Sequence, residues 1–130
     1  MREGVALAGV LAGVGARVEL LSDAALSAVI PQVDAVLVGA DAVSDDWIVN
    51  KVGTGAVCAL ALHLNVPVYV LAGSEKRLSA VDFARLHWSD GPPSDLLSSA
   101  LTGVTVVNPY FERIPMSLVS HVISDTGQII

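Results

Sequence analysis

Apolar and polar positions alternate in blocks along this chain, and the blocks carry different periods. Val5, Leu7, Ala8, Val10, Leu11 and Val14 recur at steps of three and four, which predicts a helix over Arg2 to Val14, stopped by Gly15. Arg17 to Leu21 reads as a short strand. Ser22 or Asp23 then caps a helix over Ala24 to Ile30, ended by Pro31. Ala35 to Gly39 and Val66 to Leu71 are unbroken apolar runs of strand length, the pattern of parallel strands covered on both faces. Between them, Ala40 to Val49 reads as a loop with a small hairpin around Asp45-Asp46, and Lys51 to Leu64 as an Ala/Leu-rich helix. The alternation of helix and strand predicts a parallel α/β sheet. Further on, Gly73 to Arg85 carries the chain over the sheet edge, and Asp90 to Ser94 is the clearest loop signal. Asp95 to Leu101 is expected as a short helix and Val104 to Val107 as a short strand. A turn at Asn108-Pro109 follows, and Pro115 to Ile123 reads as a helix with proline near its first turn. The chain opens on a helix rather than a strand, so the sheet reads as one whose first strands are missing.

Composition narrows the class. The 130 residues suit a single domain over 1–130, and 53% of them are hydrophobic, mostly Ala and Val. An apolar-rich chain of this size leaves surface to hide, so a homo-oligomer, dimer or higher, is expected. The net charge is −6 with no Lys/Arg run, which excludes a nucleic-acid groove or a basic membrane-surface helix. No apolar stretch reaches the roughly 18 residues of a membrane span, and the first residues lack the marks of a signal peptide. The single cysteine, Cys58, excludes an internal disulfide and fits a reducing, cytoplasmic setting.

Candidate chemistry gathers in Val38-Gly39-Ala40-Asp41 and Asn50-Lys51-Val52-Gly53-Thr54. Asp41 follows the carboxyl end of a buried strand, where open α/β sheets bind ligands. Asn50 and Lys51 are expected at the start of a helix, whose free N–H groups attract anions. Gly53 and Gly55 allow close approach to the backbone. One reading is an acid/base carboxylate beside a phosphate-binding helix end. The other is a loop-capping Asp41, a solvated Lys51 and packing glycines.

These stretches resemble a known family. Gly39-Ala-Asp-Ala-Val43, then Asn50-Lys-Val-Gly-Thr54, then Val66-Pro-Val-Tyr-Val70 is similar to the running pattern of the initiation factor 2B α/β/δ subunits, methylthioribose-1-phosphate isomerase and ribose-1,5-bisphosphate isomerase. Asn108-Pro-Tyr-Phe-Glu-Arg-Ile-Pro115, with Leu118-Val119 and Ile123 to Gly127, resembles the family's Asn-Pro-x-Phe-Asp-x-Thr-Pro ending, and Arg2-Glu3-Gly4 the end of its Glu-x-Arg-Pro…Gly segment. The resemblance implies a three-layer, Rossmann-like α/β domain with a mainly parallel sheet, without the family's first strands and N-terminal helical domain. It implies Asp41 as catalytic acid/base, and Asn50, Lys51, Gly53 and Thr54 as the sugar-phosphate contacts. Partial burial of Asp41 would suit it to move hydrogen between C1 and C2 of an opened aldose phosphate.

The departures matter equally. The family isomerases use a Cys on a strand upstream of Met1, and Cys58, inside a predicted helix, is a core residue and no substitute. The interval from Asp41 to Asn50 is one residue short, and Ser44-Asp-Asp-Trp47 replaces an Asn-Gly turn. Trp47 either shields the site or packs at an interface. The expected function is therefore a factor-2B-related domain with a sugar-phosphate-isomerase-like half-site, not catalytic alone. It would take a sugar phosphate or nucleotide and no cofactor. The alternative is a working part of an aldose-phosphate isomerase completed by other segments or a partner chain. His63, His87 and His121 lack metal-ligand spacing, so no metal is expected. Asp23 is a cap, Glu75-Lys76-Arg77 a solvated loop, and Gly9, Gly13 and Gly15 no nucleotide fingerprint. Tyr110, Phe111 and Met116 are the expected interface anchors.

Overall fold

The computed structural model describes residues 3–127. Two small sheets share one core. Strands β1 (Val36–Gly39), β4 (Val68–Leu71) and β6 (His121–Ile123) lie parallel in the order β1-β4-β6. Their register sets Val36 beside Val68, Val38 beside Val70, and Val70 beside Val122. Strands β2 (Ala42–Val43), β3 (Trp47–Lys51) and β5 (Phe111–Pro115) form an antiparallel sheet in that order. Helix α3 (Thr54–His63) joins the two sheets, running from the end of β3 to β4. The fold is Rossmann-like α/β, with the antiparallel hairpin inserted at the carboxyl end of β1.

The core follows from side-chain alternation. Cys58 and Ala61 of α3 are fully buried against Ile48, Val68, Val70, Ile114 and Val122. A second cluster gathers Ala42, Val49 and Phe83, the last from α4 (Ala80–Ala84), with Trp88 and Phe111 packed beside it. The Ser79 hydroxyl caps α4 by accepting the Asp82 N–H at 3.1 Å. The expected hairpin is present. Ser44, 4% exposed, closes it, its N–H donating to Trp47 O at 2.8 Å. The other face of the parallel sheet is open among the described residues: Leu37 is 65% exposed and Leu71 48%. On that face Tyr69 and His121 stack at 5.4 Å.

Helix α1 (Glu3–Gly13) forms much as expected and ends on Gly15 at φ 86°; Arg2 lies outside the described residues. Its apolar side chains stay exposed, however. The predicted helix after Asp23 is a single 3-10 turn (Asp23–Ala25), one turn of α2 (Leu26–Val29) and another 3-10 turn (Ile30–Gln32).

Four expectations fail. Arg17 to Leu21 and Val104 to Val107 are not strands. Their residues suit a strand, but a strand exists only with a ladder partner, and neither stretch finds one among the described residues. Asp95 to Leu101 is not a helix; only a 3-10 turn forms at Pro93–Asp95, and Ser98, Ser99 and Gly103 lend the rest little helix propensity. Pro115 to Ile123 is not a helix either. It is the end of β5, a 3-10 turn at Met116–Leu118, and β6. Val119, Val122 and Ile123 are β-branched, and pairing with β4 supplies the partners that local sequence cannot reveal.

Candidate functional site

Asp41 stands where the chain leaves β1 for the hairpin, and its N–H donates to Val49 O at 2.8 Å. That bond sets Asp41 beside the end of β3, which carries Asn50 and Lys51. These two residues were expected at a helix start. They are instead the last residues of the strand, and α3 begins only at Thr54. The turn between them needs Gly53, whose φ of 100° is strained for any residue with a Cβ.

Side chains lock this turn. Asn50 Nδ2 donates to Thr54 Oγ1 at 3.1 Å, and the Thr54 hydroxyl donates to Lys51 O at 2.7 Å. The Gly55 N–H, a free donor in any helix start, donates to Glu112 Oε1 at 2.8 Å. Glu112 stands opposite Asn50 in the β3–β5 ladder. A Cβ on Gly55 would lie 3.3 Å from the Glu112 carboxylate. The close approach at Gly55 thus serves the chain's own carboxylate, and the helix end carries a resident anion.

Lys51 extends toward two rings, its Nζ 5.3 Å from the centroids of Tyr110 and of Phe111. The Tyr110 hydroxyl donates to the Asp95 carboxylate, and that hydrogen bond raises the phenol above its ordinary pKa. Asn50, Lys51, Gly53 and Thr54 are therefore gathered at one turn, with Asp41 alongside. Asp41 is exposed, so the described residues do not supply the partial burial that a proton-transfer role calls for.

Glu112, Tyr110 and Asp95 were not singled out as site residues. The Asn108–Pro115 motif hinted at Tyr110 and Glu112, and nothing hinted at Asp95. Phe111 and Met116, expected as interface anchors, pack against the chain's own two core clusters. Cys58 is a core residue, as its place in α3 suggested; burial, and secondarily the Glu112 charge, push its thiol up from 9.0. Trp47 is 40% exposed at the start of β3. Asp23 opens a 3-10 turn without a side-chain cap bond. Arg77 Nη2 pairs with Asp45 Oδ1 at 2.6 Å. Among the described residues no His/Cys/Asp/Glu cluster could hold a metal ion, and no helix is long and apolar enough to cross a membrane.

Known proteins resemble this chain in sequence and in fold. The model of the initiation factor 2 subunit family matches residues 2–130. Methylthioribose-1-phosphate isomerase of Ricinus communis is 34% identical over 126 residues, covering 85% of this chain and 32% of that protein. The enzyme of the same name from Desulforamulus reducens is 33% identical over 109 residues, covering 75% and 30%. Among solved structures, the translation initiation factor eIF-2B, subunit delta, from A. fulgidus superposes with a TM-score of 0.81 at 31% identity, over 92% of this chain and 37% of that one. The 5-methylthioribose 1-phosphate isomerase from Pyrococcus horikoshii gives 0.77 at 27% identity, over 92% and 36%. The chain spans about a third of the length of the curated relatives it matches. With its family model matched from residue 2 to residue 130, the chain belongs to the initiation factor 2 subunit family.

Proposed function

We propose that this chain carries a sugar-phosphate half-site of the isomerase type and does not catalyse isomerisation alone. The observation that supports the reading is the Asp41 N–H to Val49 O bond, which holds the Asp41 backbone, at the carboxyl end of β1, next to the end of the strand that carries Asn50 and Lys51. Lys51 meets the phosphate, as an ammonium meets any phosphate. Asn50, held by Thr54, presents an amide to the sugar, and Gly53 and Thr54 shape the turn around it. Asp41 is the group that would take a proton from C2 of the opened aldose and return it to C1. Its exposure, and the burial of Cys58 away from it in α3, support the view that catalysis needs more than these residues. A sugar phosphate or nucleotide is the ligand class, and no cofactor enters the reading. A cytoplasmic, homo-oligomeric subunit related to translation initiation factors is the setting.

Titration with methylthioribose 1-phosphate, read by NMR alongside a coupled isomerase assay, tests this. Binding lost in Lys51→Ala, with no turnover, is expected. Turnover by the chain that disappears in Asp41→Asn would refute it. The second reading, a working part of an aldose-phosphate isomerase completed by other segments or a partner, draws on the one-third coverage of the isomerase relatives. Turnover restored by a complementing chain would favour it.

A further inference from the structure

The Asp90–Ser94 turn and the Asn108–Phe111 stretch have no part in the half-site as described, yet they meet beside it. Gly91 is buried, and its N–H donates to Asn108 O at 2.7 Å. A Cβ on Gly91 would lie 2.4 Å from Asn108 Nδ2 and 2.4 Å from Tyr110 Cε1, so only glycine lets the turn lie against the Tyr110 ring. Asn108 Nδ2 donates to Pro92 O at 3.1 Å. At the ring's far end the Tyr110 hydroxyl donates to Asp95. The backbone is fixed as well: Val52 N–H donates to Tyr110 O at 3.0 Å, and Phe111 stands opposite Lys51 in the ladder. Both rings thus reach the Lys51 ammonium from anchored positions, each centroid 5.3 Å from Nζ.

We propose that Tyr110 and Phe111, with the Gly91–Asp95 turn behind Tyr110, are positioning residues that bracket the Lys51 ammonium and aim it at a phosphate-bearing ligand. The inference rests on the sugar-phosphate reading of Lys51. A lysine stem has free rotation about its bonds, and its head is a point charge without preferred direction. Electron-rich ring faces attract that head and restrict it. They also repel an anion, so a phosphate approaches Lys51 away from the two ring faces. The rings act through Lys51 and touch no ligand.

Inorganic phosphate is the probe, titrated into the wild-type chain and the Lys51→Ala, Tyr110→Leu and Tyr110→Phe variants. Phe111 is left in place because it packs against the Phe83 cluster. Two readouts are taken: phosphate affinity from amide shifts, and the chemical shift of the Lys51 Hε protons, which ring currents displace. Lys51→Ala should abolish binding. Tyr110→Leu should weaken it about 3-fold, the usual scale of one partly exposed cation–π contact. It should also return the Hε shift toward that of a solvated lysine. Tyr110→Phe keeps the ring and should stay near wild type in both. If Lys51→Ala abolishes binding while a folded Tyr110→Leu changes neither readout, the bracket is overturned and the sugar-phosphate reading stands. Absence of wild-type binding, or binding that survives Lys51→Ala, sinks both. Should Tyr110→Leu unfold, Asp95→Ala removes the acceptor of the Tyr110 hydroxyl and frees the same ring from the exposed side; an unmoved Hε shift there overturns the bracket equally.

Discussion

Glu112 shows how one side chain can take over a site that a sequence assigns to a ligand. Its carboxylate occupies the anion position at the start of α3, where backbone donors and the helix dipole favour negative charge. The bond spans 57 residues of sequence, so no local pattern could reveal it. Removing the carboxylate in Glu112→Ala should cost about 1 kcal/mol, the usual worth of a helix N-terminal acceptor. Urea unfolding measures this, and Glu112→Gln, which keeps an acceptor, should recover part of it. Glu112 also bears on Cys58, whose thiol is raised first by burial and second by that charge. Because the folded pKa lies above the unfolded one, the thiol's contribution is full below the unfolded value of about 9.0 and is lost as pH rises from there through the folded one. The urea midpoint should therefore fall as pH rises above that unfolded value, and Cys58→Ala should flatten that limb. An unchanged slope in Cys58→Ala would assign the alkaline loss to another group.

Elements differed in legibility for a physical reason. β1 and β4 were readable because buried parallel strands are continuous apolar runs, and α3 because its length and Ala/Leu content admit little else. β5 and β6 were not readable: Pro115 resembles a helix start, and what makes the flanking residues strands is pairing with β3 and β4. The same dependence hid the state of Arg17 to Leu21. Asp41 was legible as a site candidate because it follows a strand end, and Asn50 and Lys51 because they were read as a helix start. The three-residue error in the start of α3 came from Gly53, whose positive φ turns the chain before the helix begins. Gly53→Ala should destabilise the fold by about 1 kcal/mol or more, since alanine resists that φ. Gly9 offers the contrast. It lies inside α1 with open space around it, and α1 packs its apolar side chains on nothing described. Gly9→Ala should raise helical circular dichroism while leaving the cooperative unfolding midpoint unchanged. A midpoint that rises with it would mean that α1 is part of the folding unit.

At the scale of the whole molecule, the described residues cover one face of the parallel sheet. α3 packs against the face bearing Val68, Val70 and Val122, while Leu37, Tyr69, Leu71 and His121 line the other. Parallel sheets are ordinarily covered on both faces, because their strands are apolar on both. An exposed apolar face on an apolar-rich chain is the mark of association. The expected anchors for a homo-oligomer were Tyr110, Phe111 and Met116, of which Phe111 and Met116 are spent on the chain's own core. The open sheet face is the better place for a second copy, through an isologous contact in which Leu37 and Leu71 of each protomer face their equivalents. Sedimentation equilibrium at micromolar concentration should give about twice the 13.4 kDa chain mass. Leu37→Asp with Leu71→Asp should return it to the monomer without loss of helical signal, since neither side chain lies in the core. Phe111→Asp should instead unfold the chain, because Phe111 packs with Phe83 and Trp88. A wild-type chain that sediments as a monomer refutes the oligomer. A dimer that withstands both leucine substitutions keeps the oligomer and moves its interface elsewhere, with the exposed apolar side chains of α1 the next surface to test.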